Sequence, residues 1–487
     1  MSDPEDVAQY KAYANQLLRK PDDVGALINQ FAHLFNTMDR NKVHQLVALA
    51  ERAYRLAPKK FTAVFSYSSA LSATGHWLEA IALLKWCVTN APDNKWLGRA
   101  YHHLGIAYRS NGDDEDALIW YDRAIALTGD PEIKKDRALT LLAMGRLREG
   151  FQAYECRREN AEEKLAKFGL TPNQALLPAH VRQRHWQGED LTGKTIAVYA
   201  EDGIGDFFNF CRFIPRLRDY GAAKILLTGK VADMVELVAD NIDNDGIVPI
   251  DDFDADYIVG SMTVPWRTGV DLEDVNGRPY FKAEPATFPR RGLLNVGLVW
   301  RGNPVHGRNS HRSMDFINLS PLFGIPDAAF YSLQVGPTAR EITAAGYDGF
   351  VADLSPLAKS WRATASLIAN LDVVVTVDTS CAHLAGALGV PVITMVTRCP
   401  DWRWDRNSQR TIWYDSMSVL RQHRQDEWAP VVDGVKIMLE SMANGRRRQD
   451  AKAGERRAPG AAARRTVQER SRPGQRRVGP ASVDLQA

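Results

Sequence analysis

The sequence predicts an N-terminal α-solenoid of helical repeats, then two Rossmann-like α/β lobes, then a disordered tail rich in Arg, Ala, Gly and Pro. Three observations predict it. Small and aromatic residues recur with a period near 34 between residues 20 and 160. Strand-like and helix-like stretches alternate from Thr195 onward. Between Leu371 and Val396 an apolar run breaks at Asp378-Thr379-Ser380, continues as a small-residue helix, and ends at Gly389 before a second apolar run. The expected divisions are a repeat domain at 1–165, a connector at 166–193, a first lobe at 194–290, a second lobe at 291–440 and the tail at 441–487.

The repeats are clearest between Tyr101 and Ala124, where Leu104-Gly105, Tyr108, Gly112, Ala117, Tyr121 and Ala124 stand at tetratricopeptide positions. Gly105 and Ala117 let two helices approach, and Tyr108 and Tyr121 fill the groove beside them. Pro58 to Pro92 is a step of 34 residues, Gly75 to Gly112 one of 37 and Gly112 to Gly145 one of 33, so about four helix pairs fit. Such a solenoid presents a face suited to extended peptides or partner helices, or else serves as a packing spacer.

The repeat pattern has stopped by Asn173, and the stretch to Lys194 reads as a connector. Ile196–Tyr199 then reads as a strand, 206–217 as a helix, Lys224–Leu227 as a strand, 231–238 as a helix and Tyr257–Val259 as a third strand. A second set opens with NVGLVW at Asn295, followed by FYSLQV, a helix over Trp361–Ala369 and the strand-turn-helix at Asp378. Two such halves, separated near Phe288-Pro289-Arg290-Arg291, predict a two-lobed molecule with a cleft between them.

Composition sets limits. With 487 residues, 45% hydrophobic and 25% charged, the chain is globular and long enough for two or three cores. The acidic start MSDPEDVAQYK predicts no signal peptide, and Asp378 and His383 interrupt the longest apolar run, so membrane contact is at most peripheral. Cys87, Cys156, Cys211, Cys381 and Cys399 form no CxxC pair, which predicts reduced thiols, a cytoplasmic setting and no metal site. The pairs in Asp251-Asp252-Phe253-Asp254-Ala255-Asp256 read as an acidic turn before a strand. The basic tail lacks interleaved aromatics, which predicts no specific nucleic-acid partner.

Three segments are candidates for chemistry. In Glu201-Asp202-Gly203-Ile204-Gly205-Asp206 a strand gives way to a helix, and Gly203 and Gly205 let backbone approach a ligand. Asp206 is placed to accept a proton from an attacking hydroxyl, or simply to sit well at a helix start; there the helix dipole would favour its ionised form. After the next lobe's first strand, Arg301, Asn303, His306, Arg308, His311 and Arg312 crowd one loop, a composition suited to offsetting a departing diphosphate or to a solvated basic loop. At Asp378, Thr379, Ser380 and His383 a helix start offers backbone N–H groups and hydroxyls to phosphate oxygens, although capping alone would explain Thr379 and Ser380, and packing would explain His383.

With these residues in place, 190–430 resembles the heptosyltransferase-type glycosyltransferases of family 9. The matching features are Gly205-Asp206, the Asp378-Thr379-Ser380-Cys381-Ala382-His383 stretch and Gly386 to Pro391. The stretch GLVWRGNP with His306 and Arg312-Ser313, and the closing DWRWDRNSQRTIWY, resemble the repeat-linked branch of that family. Similar proteins carry Asn-Asp where this chain has Arg308-Asn309. The resemblance implies a GT-B fold and inverting transfer without an essential metal or other cofactor. It implies a nucleotide-diphosphate sugar in the second lobe, acceptor side in the first, Asp206 as base, and Thr379, Ser380 and His383 at the diphosphate. The domain order is also similar to protein O-linked N-acetylglucosamine transferases, which points to a protein acceptor held by the repeats. Two alternatives stand beside it: a non-catalytic repeat scaffold with a degenerate transferase, and a heptosyltransferase-type enzyme acting on lipopolysaccharide.

Overall fold

The structure is a computed structural model that describes residues 4–37, 43–158, 184–250, 253–292, 294–304 and 309–457. Helix α1 (Pro4–Arg19) leads into four helix hairpins. They are α2 (Val24–Thr37) with α3 (Val43–Leu56), α4 (Phe61–Ala73) with α5 (Trp77–Thr89), α6 (Asn94–Asn111) with α7 (Asp114–Thr128), and α8 (Pro131–Ala143) with α9 (Leu147–Tyr154). The glycines that marked the period have one job. Gly75, Gly112 and Gly145 take φ of +86°, +104° and +76°, just past the first helix of the last three pairs. The N–H of the following residue then reaches back five positions, from His76 to Leu71, Asp113 to Tyr108 and Arg146 to Leu141, closing the helix end. The predicted tetratricopeptide-like solenoid of four pairs is what forms.

The first lobe is a parallel sheet of β1 (Thr195–Tyr199), β2 (Lys224–Thr228), β3 (Gly246–Ile247) and β4 (Tyr257–Gly260), in the order β3-β2-β1-β4. Helix α10 (Ile204–Phe210) is shorter than predicted: from Cys211 to Tyr220 the chain tightens into a 3₁₀ stretch around Pro215, which has no N–H to continue an α-helix. Helix α11 (Ala232–Ala239) follows β2.

The second lobe holds β5 (Leu294–Val299), β6 (Ala328–Ser332), β7 (Val351–Asp353), β8 (Val373–Val377), β9 (Val392–Val396) and β10 (Met417–Arg421). All pair in parallel in the order β10-β9-β8-β5-β6-β7, which is the doubly wound arrangement. Every residue of β5, β8 and β9 is buried, as expected when helices cover both faces of a sheet. Helices α12 (Trp361–Ala369) and α13 (Ser380–Leu388) cover one face, and α14 (Ala429–Arg457) covers the other through Val431, Val432, Val435 and Leu439.

Two boundaries differ from expectation. The last ten residues of the expected connector belong to the first lobe: Trp186 is fully buried there and His185 bridges Ile258 beside β4. The tail starts later than residue 441, because α14 continues to Arg457; Arg446 pairs with Asp372 at 2.8 Å and Arg447 pairs with Asp327. Residues 458–487 lie outside the described residues.

The three modules share one core. It runs from Leu142, Phe151 and Tyr154 of the last repeat through Phe207 and Phe210 of the first lobe to Trp402 and Trp413 of the second. A buried ion pair fixes the repeats to the first lobe, with Arg157 2.9 Å from Glu201 and both side chains 8% exposed. Burial opposes the Arg157 charge, but Glu201 and Glu155 outweigh it and strengthen the cation. Glu201 fits only because β4 ends in glycine, since a Cβ on Gly260 would lie 2.1 Å from its carboxylate. Gly260→Ala is therefore expected to destabilise the protein by about 3 kcal/mol, in the upper range for overpacking a tight site. An unchanged melting temperature would show that Glu201 moves aside freely.

Candidate functional site

In a doubly wound sheet the strand order reverses once, and the loops leaving the two central strands diverge to open a crevice at their carboxyl ends. In the second lobe the reversal lies between β5 and β8, so Trp300-Arg301 and Asp378-Thr379-Ser380 leave the sheet on its two sides. In the first lobe it lies between β1 and β4, where Glu201 to Asp206 leave.

The cleft predicted between the lobes is closed at this point by helix packing. Helix α10 rests on α13, and a Cβ on Gly205 would stand 2.8 Å from the His383 ring and 3.4 Å from the Ser380 Cα. The predicted base and the predicted diphosphate segment are thus brought side by side. Asp206 accepts the Gly203 N–H at 3.0 Å and an Arg403 N–H at 2.5 Å, closing the first turn of α10. The expectation that its helix-end position alone would set its ionisation is corrected: burial pushes the Asp206 carboxyl up, more than the Arg403 charge offsets.

Arg403 is the hub. Its side chain is 4% exposed, lies between the Trp402 and Phe210 rings, and donates to Asp206, to Asp401 at 2.8 Å and to Asn209 at 3.2 Å. Burial pushes Asp401 up, but Arg403 and its N–H donors outweigh it and hold the carboxyl below the ordinary value of 3.8. Asp378 goes the other way. Burial and the neighbouring Asp401 lift it to about 6, against the pull of Arg312, Trp404 and Arg403. The cluster therefore joins carboxylates of different proton affinity around one fixed cation.

The other predicted residues separate into groups. Thr379 occupies the N-cap of α13, but its hydroxyl meets that of Thr376 at 2.9 Å instead of capping the helix. Ser380 opens the helix beside Gly205. His383 is 5% exposed, bonds the Tyr414 hydroxyl through Nδ1 at 2.9 Å and stacks on Trp404. Burial, reinforced by Arg403, holds its imidazole well below 6.5 and hence neutral, so packing between the lobes accounts for its side chain. Arg301 turns away from the cluster, pairing with Glu341 at 2.6 Å and with Asp315. Asn303 is exposed, and His306 and Arg308 lie outside the described residues.

Arg312 does reach the site. It lines a cavity of 280 Å³ with Asp378 and Asp401, and the far wall of that cavity belongs to the repeats, where Arg109, Tyr121 and Asp136 face it. The seam is bonded closely: Arg406 pairs with Asp114 at 3.4 Å and donates to the Arg109 carbonyl, Cys399 donates to the Ser110 carbonyl at 3.3 Å, and Arg398 lies over Trp77. On the first-lobe side, the Tyr154 hydroxyl approaches Asp202 at 3.4 Å. Burial, and then Asp202 and Asp206, push that phenol well above its ordinary range.

Sequence reasoning missed Asp401, Arg403 and Arg109. A signal existed for the first two in Asp401-Trp402-Arg403-Trp404, where a cation flanked by two tryptophans marks a charge sheltered from water. The acidic turn has a structural use for Asp256, which accepts the Thr195 N–H at 2.8 Å and pairs with Lys194.

Helical repeats joined to two parallel α/β sheets, with charged groups at both switch points, define a repeat-linked two-lobed α/β protein. Residues 341–429 match glycosyltransferase family 9 (heptosyltransferase), which bears out the family resemblance over that stretch and gives the second lobe a glycosyltransferase domain. Protein FlbA of Caulobacter vibrioides is 24% identical over 479 residues, covering 91% of this chain and 77% of that protein, so the similarity spans repeats and lobes alike. Among solved structures, MamA is 21% identical over 32% of this chain and 89% of its own, with a TM-score of 0.27. TTC0263, a thermophilic TPR protein of Thermus thermophilus, is 21% identical over 33% of this chain and 87% of its own, with a TM-score of 0.29. Among the described residues no helix is long and apolar enough to cross a membrane.

Proposed function

We propose that this protein is an inverting, metal-independent glycosyltransferase that moves a sugar from a nucleotide-diphosphate sugar to an acceptor, and that the acceptor is a protein recruited by the repeats. The observation that carries this reading is the packing of α10 on α13, where Arg403 joins Asp206 to Asp401, which lines the cavity with Asp378 and Arg312 at the second lobe's switch point. The acceptor oxygen attacks the anomeric carbon from the face opposite the diphosphate and gives its proton to Asp206. The anomeric carbon–oxygen bond breaks, and the diphosphate leaves with the electron pair toward Arg312 and the backbone N–H groups of Thr379 and Ser380. Arg301 and His383 act here as positioning residues, the first through Glu341 and the second through Tyr414. Five widely spaced cysteines with no CxxC pair support a cytoplasmic setting.

A second reading is favoured by one feature: both Asp206 oxygens already accept hydrogen bonds, as they would in a degenerate transferase that only binds its nucleotide sugar and serves as a scaffold. Calorimetry of the full chain against UDP-, GDP-, ADP- and CMP-linked sugars separates the cases. One donor is expected to bind, with affinity falling about tenfold in Arg312→Met through loss of a charge-assisted contact. Slow hydrolysis of the bound donor would favour the enzyme, and binding with no turnover in the presence of candidate protein or lipopolysaccharide acceptors would favour the scaffold. Silence across the panel would sink the donor reading.

A further inference from the structure

We propose that Arg109, on repeat helix α6, is part of the diphosphate site and that it clamps the anionic leaving group against Arg312 across the seam between repeats and second lobe. The proposal rests on the donor reading above and adds to it that the repeats build the site instead of only delivering an acceptor to it.

Arg109 is 8% exposed and lines the cavity that holds Asp378 and Arg312. Among the described residues its guanidinium makes neither a hydrogen bond nor an ion pair, and the same holds for Arg312, whose Nε is buried without an acceptor. Arg312 Nε is buried with no acceptor, and two guanidinium groups without a bonded carboxylate on opposite walls of one cavity suit an anion between them.

The other charges in the cavity have partners. Arg406 pairs with Asp114, Asp401 with Arg403, and Asp136 with His102 at 2.9 Å. Among the described residues, that leaves Arg109 and Arg312 facing the carboxylate of Asp378. At 280 Å³ the cavity lies at the lower end of ligand pockets, roughly 300 Å³ and upward, and so suits a diphosphate group with the nucleoside and sugar extending beyond it. Guanidinium forks match phosphate oxygens in pairs, which a lysine in either position would not reproduce.

The test uses the full chain with inorganic pyrophosphate and with UDP, GDP, ADP and CDP, measured by calorimetry. Arg109→Met and Arg312→Met are each expected to weaken the preferred ligand by about tenfold or more, with Arg109→Lys recovering only part of the loss. Arg99→Met, on the exposed face of the same helix, is expected to change nothing. In the unmutated protein, pyrophosphate is expected to protect Arg109 and Arg312 from an arginine-specific dicarbonyl reagent, read by mass spectrometry; this readout does not depend on a variant folding. If Arg312→Met weakens binding while Arg109→Met does not, and Arg109 labels equally with and without ligand, the clamp is wrong and the donor reading stands. If the unmutated chain binds neither pyrophosphate nor any of the nucleotides, the donor reading fails and takes the clamp with it.

Discussion

Replacing Arg403 with leucine is expected to destabilise the protein by about 3 kcal/mol, the low end of the cost of stripping one partner from a buried ion pair. The low end applies because the carboxylates it serves are partly solvated, Asp206 at 26% exposed and Asp401 at 35%, while the arginine itself is at 4%. Leucine would also leave the Asn209 carbonyl oxygen and the space between Trp402 and Phe210 without their partner. The signs with pH follow from the two acids nearest the hub. Asp401 is held below 3.8, so its contribution to stability is present above pH 4 and is lost as pH falls through its folded value. Asp378 is held up to about 6, so it does the reverse, stabilising the fold in acid and ceasing to do so as pH rises from 3.8 through 6. In Arg403→Leu the Asp401 contribution disappears, so the loss of stability should be level above pH 4 and shrink as pH falls below it. Arg403→Lys should keep part of the stability, since it retains charge but cannot reach three acceptors in one plane. Chemical denaturation from about pH 2 to pH 8 measures this. Equal midpoints for all three proteins would mean that water already screens the carboxylates and that Arg403 is no hub.

How much of this was legible follows from how local each cause is. The repeats could be read because Gly75, Gly112 and Gly145 answer a local demand, a left-handed residue at the end of a helix, repeated once per unit. The second lobe could be read because β8, α13 and β9 are consecutive in the chain and each shows its own pattern. Asp206, Asp378 and Thr379 stood out for the same reason, as polar residues at strand-to-helix turns. Arg403 did not, because its meaning depends on Asp206, 197 residues away, and on a loop with no periodicity. Arg301 was misread for the converse reason: in sequence it belongs to a basic loop, but Glu341, 40 residues on, pairs with it. Arg109 was invisible as a site residue, since its own helix explains its presence and only the docking of the second lobe buries it.

Asp206→Asn is expected to lower turnover by roughly 10²–10⁴-fold, the usual worth of a positioned general base, while donor affinity stays within about twofold. The amide keeps the shape, but its one oxygen can accept from Arg403 or from the Gly203 N–H and not from both, so the α10 to α13 contact should survive while melting temperature falls modestly, by the equivalent of about 1–3 kcal/mol. What the amide cannot do is take the acceptor proton. Burial raises the Asp206 carboxyl despite Arg403, so the basic form appears only as pH rises through a value above 3.8. The unmutated enzyme should accordingly show a limb of kcat/KM that rises with pH through that value. That limb should vanish from the residual activity of Asp206→Asn and shift upward in Arg403→Lys, where the favourable charge is held less closely. His383 contributes no second limb, because its imidazole is already neutral throughout this range. Asp378, lifted to about 6, lies on the side proposed for the donor, and its ionisation should be read in donor affinity instead of turnover. Unchanged turnover in Asp206→Asn would remove it from the chemistry and move the proton acceptor to Asp401, which the same arginine holds.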